Sequence, residues 1–265
     1  MNQSNLKKLQ NLLKEKNTDI FVINRSDEYL NEYISPNAER LNFITNFSGS
    51  AGRAIITPTD AFLYVDGRYT FQANTQINTK EIHAKHLNSF WTDLEKILLE
   101  EEYKIALDPT LHSIIEIEKV EKMLENSTTQ LQLIDKNFVD LIWENQPKTQ
   151  YTDIFDHPTI FAGQSRSEKL DILKKFLDQN EIDHYFVSGL DNIAWLLNLR
   201  ADDIKYTPLL YSYLLISKNN KHSLYIKESA MPEILKKEIQ TLIKINDIQN
   251  IRSIFKNINS SDTIG

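Results

Sequence analysis

The two halves of this chain resemble each other, and that internal repeat limits the folds open to it. Near the N-terminus, apolar side chains recur at positions 6, 9, 12 and 13, and the same spacing recurs at positions 170, 173, 176 and 177. Such spacing places the side chains on one face of an α-helix. We therefore expect each half to open with an amphipathic helix that packs on a core of its own.

The register of the repeat continues past these helices. The apolar run Ile20 to Ile23 falls opposite His184 to Val187, and short apolar blocks are typical of buried strands. An aspartate follows at matching positions, and then each half has an aromatic and apolar block, LNFITNF or IAWLLNL, in which Asn46 and Asn198 hold equivalent places. A chance match of two amphipathic helices is the alternative, and the continuation through the strand argues against it.

Strand-rich sequence follows these blocks. The predicted strands are Arg53 to Thr57 and Ala61 to Val65 in the first half, and Leu209 to Ser217 and Ser223 to Ile226 in the second. Farther along the first half, the pattern predicts helices at Trp91 to Leu99 and Ile114 to Leu124, with a strand at Tyr103 to Leu107 between them. Alternating elements predict an α/β fold of two tandem related domains, each a mixed β-sheet flanked by helices.

A polar stretch that contains Pro147 and Pro158 separates the two halves and is typical of an extended connector. We place the first domain at residues 1–144, a linker at 145–160 and the second domain at 161–265. In the second domain, Ile248 to Ile258 is predicted to be helical, and Thr263-Ile264 begins what the repeat predicts to be another strand. We therefore expect the second domain to be truncated at its C-terminal end.

The composition excludes several classes of protein. Without cysteine, the chain has no disulfide, thiolate metal site or cysteine nucleophile. A net charge of −7, with lysine and arginine scattered, offers no basic surface for nucleic acid. No apolar run reaches the length of about 20 residues that a membrane helix needs, and MNQSNLKKLQ lacks the apolar segment of a secretory signal. We expect a cytoplasmic protein with neither nucleic acid nor membrane as partner.

Few side chains are arranged for catalysis or metal binding. His83 and His86 are three residues apart, but the surrounding alternation predicts a strand, and no carboxylate at helical spacing completes a metal site. Asp202 and Asp203 are adjacent carboxylates, which in a loop usually point apart and stay solvated. Ser48 to Gly52, SGSAG, lacks the lysine of a phosphate-binding loop, so its glycines are expected to serve a tight turn and close packing.

Arg68 is the strongest candidate for a contact with a ligand. In the segment YVDGRY, a predicted strand runs into an Asp-Gly turn, and Arg68 would then project from the strand end. A guanidinium can hold a carboxylate or carbonyl group by paired hydrogen bonds. The alternative is a surface arginine in an ordinary ion pair with Asp66 or Glu28, and the sequence pattern alone does not overturn that interpretation.

Six segments spread over almost the whole chain carry a resemblance to a known family. They are DEYLNEYISP, ERLNFITNFSGSAGRAIIT, YVDGRY, FVDLIWENQP, FAGQSRSEKL and DNIAWLLNLRADDIKYTPL. Together they are similar to the N-terminal part of the three-domain Xaa-Pro aminopeptidases (aminopeptidase P), in the creatinase/prolidase superfamily. Relatives with a single domain ahead of the catalytic one fit less well, because the repeat gives two.

The resemblance implies a hydrolase that removes an N-terminal residue preceding proline, with two divalent metal ions, commonly manganese, activating water. In that family two aspartates, a histidine and two glutamates of a third domain bind the metals, and we expect this chain to end before that domain. The resemblance therefore implies no catalytic residue and no metal ligand in this chain. It also implies a homodimer, peptides with proline at the second position as partners, and contact between Arg68 and the peptide.

Two other functions stay open. The chain could be a free-standing peptide-binding or scaffold module derived from the same family, which would predict a stop codon and no metal-binding domain downstream. Amidinohydrolysis of creatine by the same superfamily is a weaker alternative, because the doubled N-terminal domain argues against it.

Overall fold

The computed structural model describes residues 3–100, 102–125, 127–219 and 221–265. It divides into two compact units, residues 1–149 (unit 1) and residues 150–265 (unit 2). Each unit contains its own main β-sheet and its own hydrophobic core. Across the described ranges, no helix is both long and apolar enough to cross a membrane.

Unit 1 is built on a six-stranded sheet with helices on both faces. Its strands are β1 (Ile20–Asn24), β2 (Gly52–Ile56), β3 (Ala61–Val65), β4 (His83–His86), β5 (Lys104–Leu107) and β6 (Gln130–Leu133). Its α-helices are α1 (Asn5–Glu15), α2 (Arg40–Thr45), α3 (Thr70–Gln76), α4 (Phe90–Glu100), α5 (Ile114–Leu124) and α6 (Phe138–Ile142). The strand order is β4-β3-β2-β1-β5-β6, in which β2 runs antiparallel to both neighbours and the other pairs are parallel.

Strand β1 lies in the middle of this sheet, and its side chains alternate between two cores. Phe21 and Ile23 pack with residues of α1, α2 and α6 on one face, whereas Ile20 and Val22 pack with residues of α4 and α5 on the other. Every residue of β1 is buried. A strand covered on both faces needs apolar residues at successive positions, which explains the unbroken apolar run in the sequence.

Unit 2 has a smaller sheet. Its strands are β7 (Phe155–Asp156), β8 (His184–Val187), β9 (Leu199–Arg200), β10 (Tyr213–Ser217), β11 (Ser223–Ile226) and β12 (Lys244–Asp247). Four of them form the sheet in the order β12-β11-β10-β8, and β7 and β9 pair separately. Its α-helices are α7 (Thr159–Ala162), α8 (Arg166–Gln179), α9 (Leu190–Leu197) and α10 (Glu233–Gln240), and a 3₁₀-helix spans Ile248–Asn257.

The sheet of unit 2 has the same topology as strands β1 to β4 of unit 1, as the repeat predicts. Strand β10 runs antiparallel to β8 and β11, as β2 does to β1 and β3, and β12 runs parallel to β11, as β4 does to β3. Residues 263–265 form backbone hydrogen bonds with the free edge of β8, on the side where β5 lies beside β1 in unit 1. Asn46 and Asn198 end α2 and α9 in the left-handed conformation, with φ of 62° and 51°.

Three details differ from the sequence-based expectation. Phe176, predicted on the buried face of α8, is 47% exposed. The segment predicted as helical from Ile248 is a 3₁₀-helix, which suits apolar residues at 248, 251 and 254 because this helix has three residues per turn. Strand β10 begins at Tyr213 rather than Leu209.

Part of the stretch expected to be a connector packs on unit 2. The Ile154 N–H donates to the carbonyl of Ala230 at 2.8 Å, and the Ile154 side chain lies in the core of unit 2. Asp203 accepts hydrogen bonds from the backbone N–H and the hydroxyl of Thr152. The prediction of a solvated carboxylate is therefore wrong for Asp203, which is held by these hydrogen bonds. Its neighbour Asp202 is exposed.

Candidate functional site

All strands of the unit 1 sheet except β2 have their carboxyl ends at the same edge, and we consider those of β1, β3 and β5. Strands β1, β3 and β5 run in the same direction, because β2 is antiparallel to both β1 and β3, and β5 is parallel to β1. In α/β sheets this edge is the usual position of ligand sites. The segments that leave it begin with Arg25 after β1, Asp66 after β3 and Asp108 after β5.

Arg68 lies at this edge, on a short 3₁₀ turn (Gly67–Tyr69) that directly follows β3. Asp66 caps the turn, because its side chain accepts a hydrogen bond from the Arg68 N–H at 3.0 Å. The same carboxylate oxygen accepts from Arg68 Nε at 2.8 Å. These hydrogen bonds from Arg68 lower the pKa of Asp66. The Arg68 side chain is 75% exposed, so the ion pair leaves much of the guanidinium open to solvent.

The SGSAG loop packs directly against the Arg68 turn, so two motifs that are separate in the sequence form one surface. The Ser50 and Tyr69 hydroxyl groups are hydrogen-bonded at 2.7 Å, and the Phe47 and Tyr69 rings meet edge to face with centroids 5.8 Å apart. A Cβ on Gly49 would lie 2.2 Å from the Phe47 ring. Gly49 is therefore needed for close packing against Phe47 rather than for phosphate binding, as predicted from the sequence.

Arg25 is hydrogen-bonded to the SGSAG loop. The sequence pattern did not indicate this role. One of its terminal nitrogens donates to the Glu32 carbonyl at 2.7 Å and to the Ser50 carbonyl at 3.2 Å. The other lies 3.3 Å from a Glu39 carboxylate oxygen. Burial raises the pKa of Glu39, and the charge of Arg25 opposes that rise. The guanidinium carries five N–H donors in a fixed planar fork, so one side chain can serve three separate acceptors, and sequence spacing does not reveal this arrangement.

The histidine pair His83 and His86 does not form a metal site. Both residues lie on β4, and His86 Nδ1 accepts a hydrogen bond from the Asn88 N–H. The His83 ring lies against Phe62, with centroids 5.7 Å apart. No group of three or more histidine, aspartate or glutamate side chains within the described part of the chain is placed to hold a metal ion.

A serine, a histidine and an aspartate are linked in unit 2, but the arrangement is structural. His184 Nδ1 lies 2.8 Å from the Ser217 hydroxyl, and His184 Nε2 lies 3.2 Å from an Asp262 carboxylate oxygen. A nucleophilic serine must be reachable by its substrate. Ser217, however, is only 2% exposed, at the end of the inner strand β10. The three side chains instead connect β8, β10 and the final segment of unit 2.

Comparison with known proteins agrees with this architecture. A family model described as the creatinase/prolidase N-terminal domain matches residues 5–136, and a second model of the same description matches residues 145–264. The probable Xaa-Pro aminopeptidase P of Paracoccidioides brasiliensis (strain Pb03) is 34% identical over 250 residues, which cover 93% of this chain and 40% of the relative. That of Aspergillus niger is 34% identical over 234 residues, or 86% of this chain and 38% of the relative.

A solved structure matches nearly the whole chain. It is that of X-prolyl aminopeptidase from Caenorhabditis elegans, described as a cytosolic enzyme with a di-nuclear active site, with a TM-score of 0.89 and 26% identity. The match covers 96% of this chain and 43% of that one, so the chain spans less than half the length of these relatives. The fold class and the family resemblance inferred from the sequence are thereby confirmed. The chain belongs to the creatinase/prolidase family and consists of two of its N-terminal domains in tandem, as found in the Xaa-Pro aminopeptidases.

Proposed function

We propose that this chain is the non-catalytic N-terminal part of a Xaa-Pro aminopeptidase, a metallopeptidase that releases the N-terminal residue preceding proline. The observation that supports this most is the alignment of 93% of the chain with only 40% of the length of a Xaa-Pro aminopeptidase P. Two tandem domains of the creatinase/prolidase N-terminal type account for that alignment. In this proposal the two domains narrow access to the catalytic cleft, support dimerisation and position the peptide.

Arg68 is the residue of this chain that we propose to contact the substrate. Three features support this role: Arg68 lies at the carboxyl end of β3, its side chain is 75% exposed, and among the described residues it forms an ion pair with Asp66 alone. Asp66 accepts from Nε of the Arg68 guanidinium. The two terminal nitrogens can donate to a peptide carbonyl or carboxylate group. Asp66 acts as a positioning residue, because it fixes both the backbone turn and one edge of the guanidinium.

Two divalent metal ions, which we propose to be manganese, would be bound by a separate catalytic domain. The description of the Caenorhabditis elegans enzyme as having a di-nuclear active site supports the number of metal ions. That enzyme is also described as cytosolic, which supports a cytoplasmic location for the protein proposed here. Dimerisation is proposed from the family resemblance, and sedimentation velocity of the longer protein would test it.

Peptidase activity tests this function. The 265-residue chain, purified and supplied with manganese, should release no first residue from a peptide with proline at the second position. The protein that also carries the catalytic domain should release it, and should lose that activity when the metal is chelated. Turnover by the 265-residue chain alone would refute the proposal.

A further inference from the structure

The Tyr69 side chain lies between the SGSAG loop and the Arg68 guanidinium. The guanidinium carbon of Arg68 is 5.6 Å from the centroid of the Tyr69 ring, within the range of a cation–π interaction. On the loop side, the Tyr69 hydroxyl is hydrogen-bonded to that of Ser50, and the ring meets Phe47, which is only 1% exposed. One aromatic ring therefore connects the exposed cation to a buried part of unit 1.

Further hydrogen bonds hold the loop on two other sides. Arg25 donates to the Ser50 carbonyl at 3.2 Å. The Ser48 N–H donates to Gln76 Oε1 at 3.0 Å, and the Ser48 hydroxyl accepts from the Gln76 amide nitrogen at 2.9 Å. Because Gln76 is the last residue of α3, the loop contacts the chain both at Tyr69 and at the end of the helix that follows it.

The matching turn of unit 2 forms without such a ring. A 3₁₀ turn follows β3 and β11 alike, Gly67–Tyr69 in unit 1 and Glu228–Ala230 in unit 2. In each turn, the N–H of the last residue donates to the carbonyl of the residue before the turn, at 2.8 Å and 2.9 Å. At the second and third positions, unit 2 has Ser229 and Ala230 in place of arginine and tyrosine. The backbone of the turn therefore does not account for the arginine and tyrosine of unit 1.

We propose that Tyr69, held by Ser50, is a positioning residue for Arg68 in substrate binding, and that the SGSAG loop serves this purpose. Asp66 accepts from Nε of the guanidinium, and the Tyr69 ring lies beside the guanidinium carbon. A side chain that is ordered before binding loses less conformational entropy when the peptide binds. This role rests on the function proposed above, in which Arg68 contacts the peptide.

The first test is kinetic and uses the longer protein with its catalytic domain. Tyr69→Phe keeps the ring but loses the hydrogen bond to Ser50. It should lower kcat/KM for a peptide with proline at the second position by about two- to fivefold, the factor that an exposed cation–π contact contributes. Ser50→Ala removes the other partner of the same hydrogen bond and should have a similar effect. The double variant should fall no further than either single one.

The Arg68→Ala background separates positioning from a purely structural role. If Tyr69 acts through Arg68, then Tyr69→Phe should lower kcat/KM in the wild-type background and leave it unchanged in Arg68→Ala. Tyr103→Phe, which removes a hydroxyl group at the amino end of β5, is the matched control and should leave kcat/KM unchanged. An equal fall in both backgrounds, or no fall in Tyr69→Phe and Ser50→Ala, would overturn the proposal.

The second test uses the 265-residue chain and needs no peptidase activity. The NMR order parameter of Arg68 Nε should be lower in Ser50→Ala and Tyr69→Phe than in the wild type, and unchanged in Tyr103→Phe. Equal order in the wild type, Ser50→Ala and Tyr69→Phe would refute the positioning role. If the longer protein has no peptidase activity, the proposed function fails, and these order parameters alone decide whether Tyr69 positions Arg68.

Discussion

At the residue scale, Arg68 is the side chain through which unit 1 is proposed to act on a peptide. In a full-length enzyme, Arg68→Ala should lower kcat/KM by about ten- to a hundredfold, because a hydrogen bond to a charged group contributes about 1.5–3 kcal/mol. Arg68→Lys should fall between Ala and wild type, since it keeps the charge but not the paired donors.

The matched control for Arg68 is Arg252→Ala, which removes an exposed arginine from unit 2. Both variants should keep the melting temperature of the wild type, because both side chains are exposed. An unchanged kcat/KM in Arg68→Ala would refute the assigned role. Equal losses of kcat/KM in Arg68→Ala and Arg252→Ala would show that any lost positive charge has this effect.

His222 should make the stability of unit 2 depend on pH. Its Nδ1 accepts a hydrogen bond from the Ser217 N–H at 3.1 Å, and burial lowers its pKa below the usual 6.5. The unfolded chain then binds a proton more readily than the folded chain. The free energy of unfolding should therefore fall as the pH drops below that usual value.

The variant His222→Asn keeps an acceptor for Ser217 but does not titrate, so it should reduce this fall. Urea unfolding of both proteins at several pH values between neutral and mildly acidic measures the effect. The comparison at neutral pH, where His222 is uncharged, separates the packing cost of the substitution from its titration. Parallel pH profiles of the two proteins would contradict the prediction.

At the scale of elements, basic residues of α8 hold the C-terminal end of α9. The Lys169 ammonium donates to the Trp195 carbonyl at 2.8 Å and to Asn198 Oδ1 at 2.7 Å. Arg166 Nε donates to the Leu197 carbonyl at 3.0 Å. The last carbonyl groups of a helix lack intrahelical partners and carry partial negative charge, so cations stabilise them. These hydrogen bonds join two of the segments that carry the family resemblance, FAGQSRSEKL and DNIAWLLNLRADDIKYTPL, and stabilise the end of α9.

Asn46 and Asn198 provide a comparison between the two repeats. Both have left-handed backbones, but Asn46 is exposed, whereas Asn198 is 2% exposed and its amide donates to the Gln164 carbonyl at 2.9 Å. Asn46→Gly should change the free energy of unfolding by less than about 0.5 kcal/mol, since glycine adopts this conformation freely. Asn198→Gly should cost about 1–3 kcal/mol, because the buried Lys169 loses an acceptor.

Urea denaturation of each variant measures this difference, and Asn46→Ala is the matched control. It should cost about 1 kcal/mol, since alanine adopts the left-handed conformation poorly. Equal costs for the two glycine variants would show that the buried hydrogen bonds of Asn198 contribute nothing measurable.

The repeat and the apolar spacing predicted the elements that open each unit, from α1 to β3 and from α8 to β11, because apolar spacing reports which faces are buried. The elements α3, α10 and β12 were not predicted. Side-chain contacts between distant segments were not predictable in this way. The hydrogen bonds of Arg25 go largely to backbone carbonyl groups, which leave no pattern in the sequence. The link between Ser217, His184 and Asp262 likewise joins residues that only the fold brings together. For Arg68, the sequence predicted the position at the strand end, while its role rests on the family resemblance.

At the scale of the whole molecule, the exposure of Phe176 follows from a difference between the repeats. In unit 1, α6 packs on α1 and α2, and Trp143 just after it stacks on Phe43 with centroids 4.3 Å apart. No helix in the described part of unit 2 covers α8 and α9 in this way. A groove of about 590 Å³ lies between those helices, lined by Ile172, Phe176 and Trp195, all of them about half exposed.

We expect the longer protein proposed above to cover this groove. Because the 265-residue chain has no cysteine, Phe176→Cys would be its single labelling site. Its thiol should react readily in the 265-residue chain and much more slowly in the longer protein. Ile234→Cys, at a position that is 86% exposed and outside the groove, should react equally in both. Equal reactivity of Phe176→Cys in the two proteins would show that the groove stays open.

The central claim is that these two domains belong to a longer metallopeptidase, and the coding sequence after the codon for Gly265 tests it most directly. We expect the reading frame to continue into a domain whose sequence carries two aspartates, a histidine and two glutamates as metal ligands. A stop codon directly after Gly265, with no such domain downstream, would refute this proposal and favour a free-standing module.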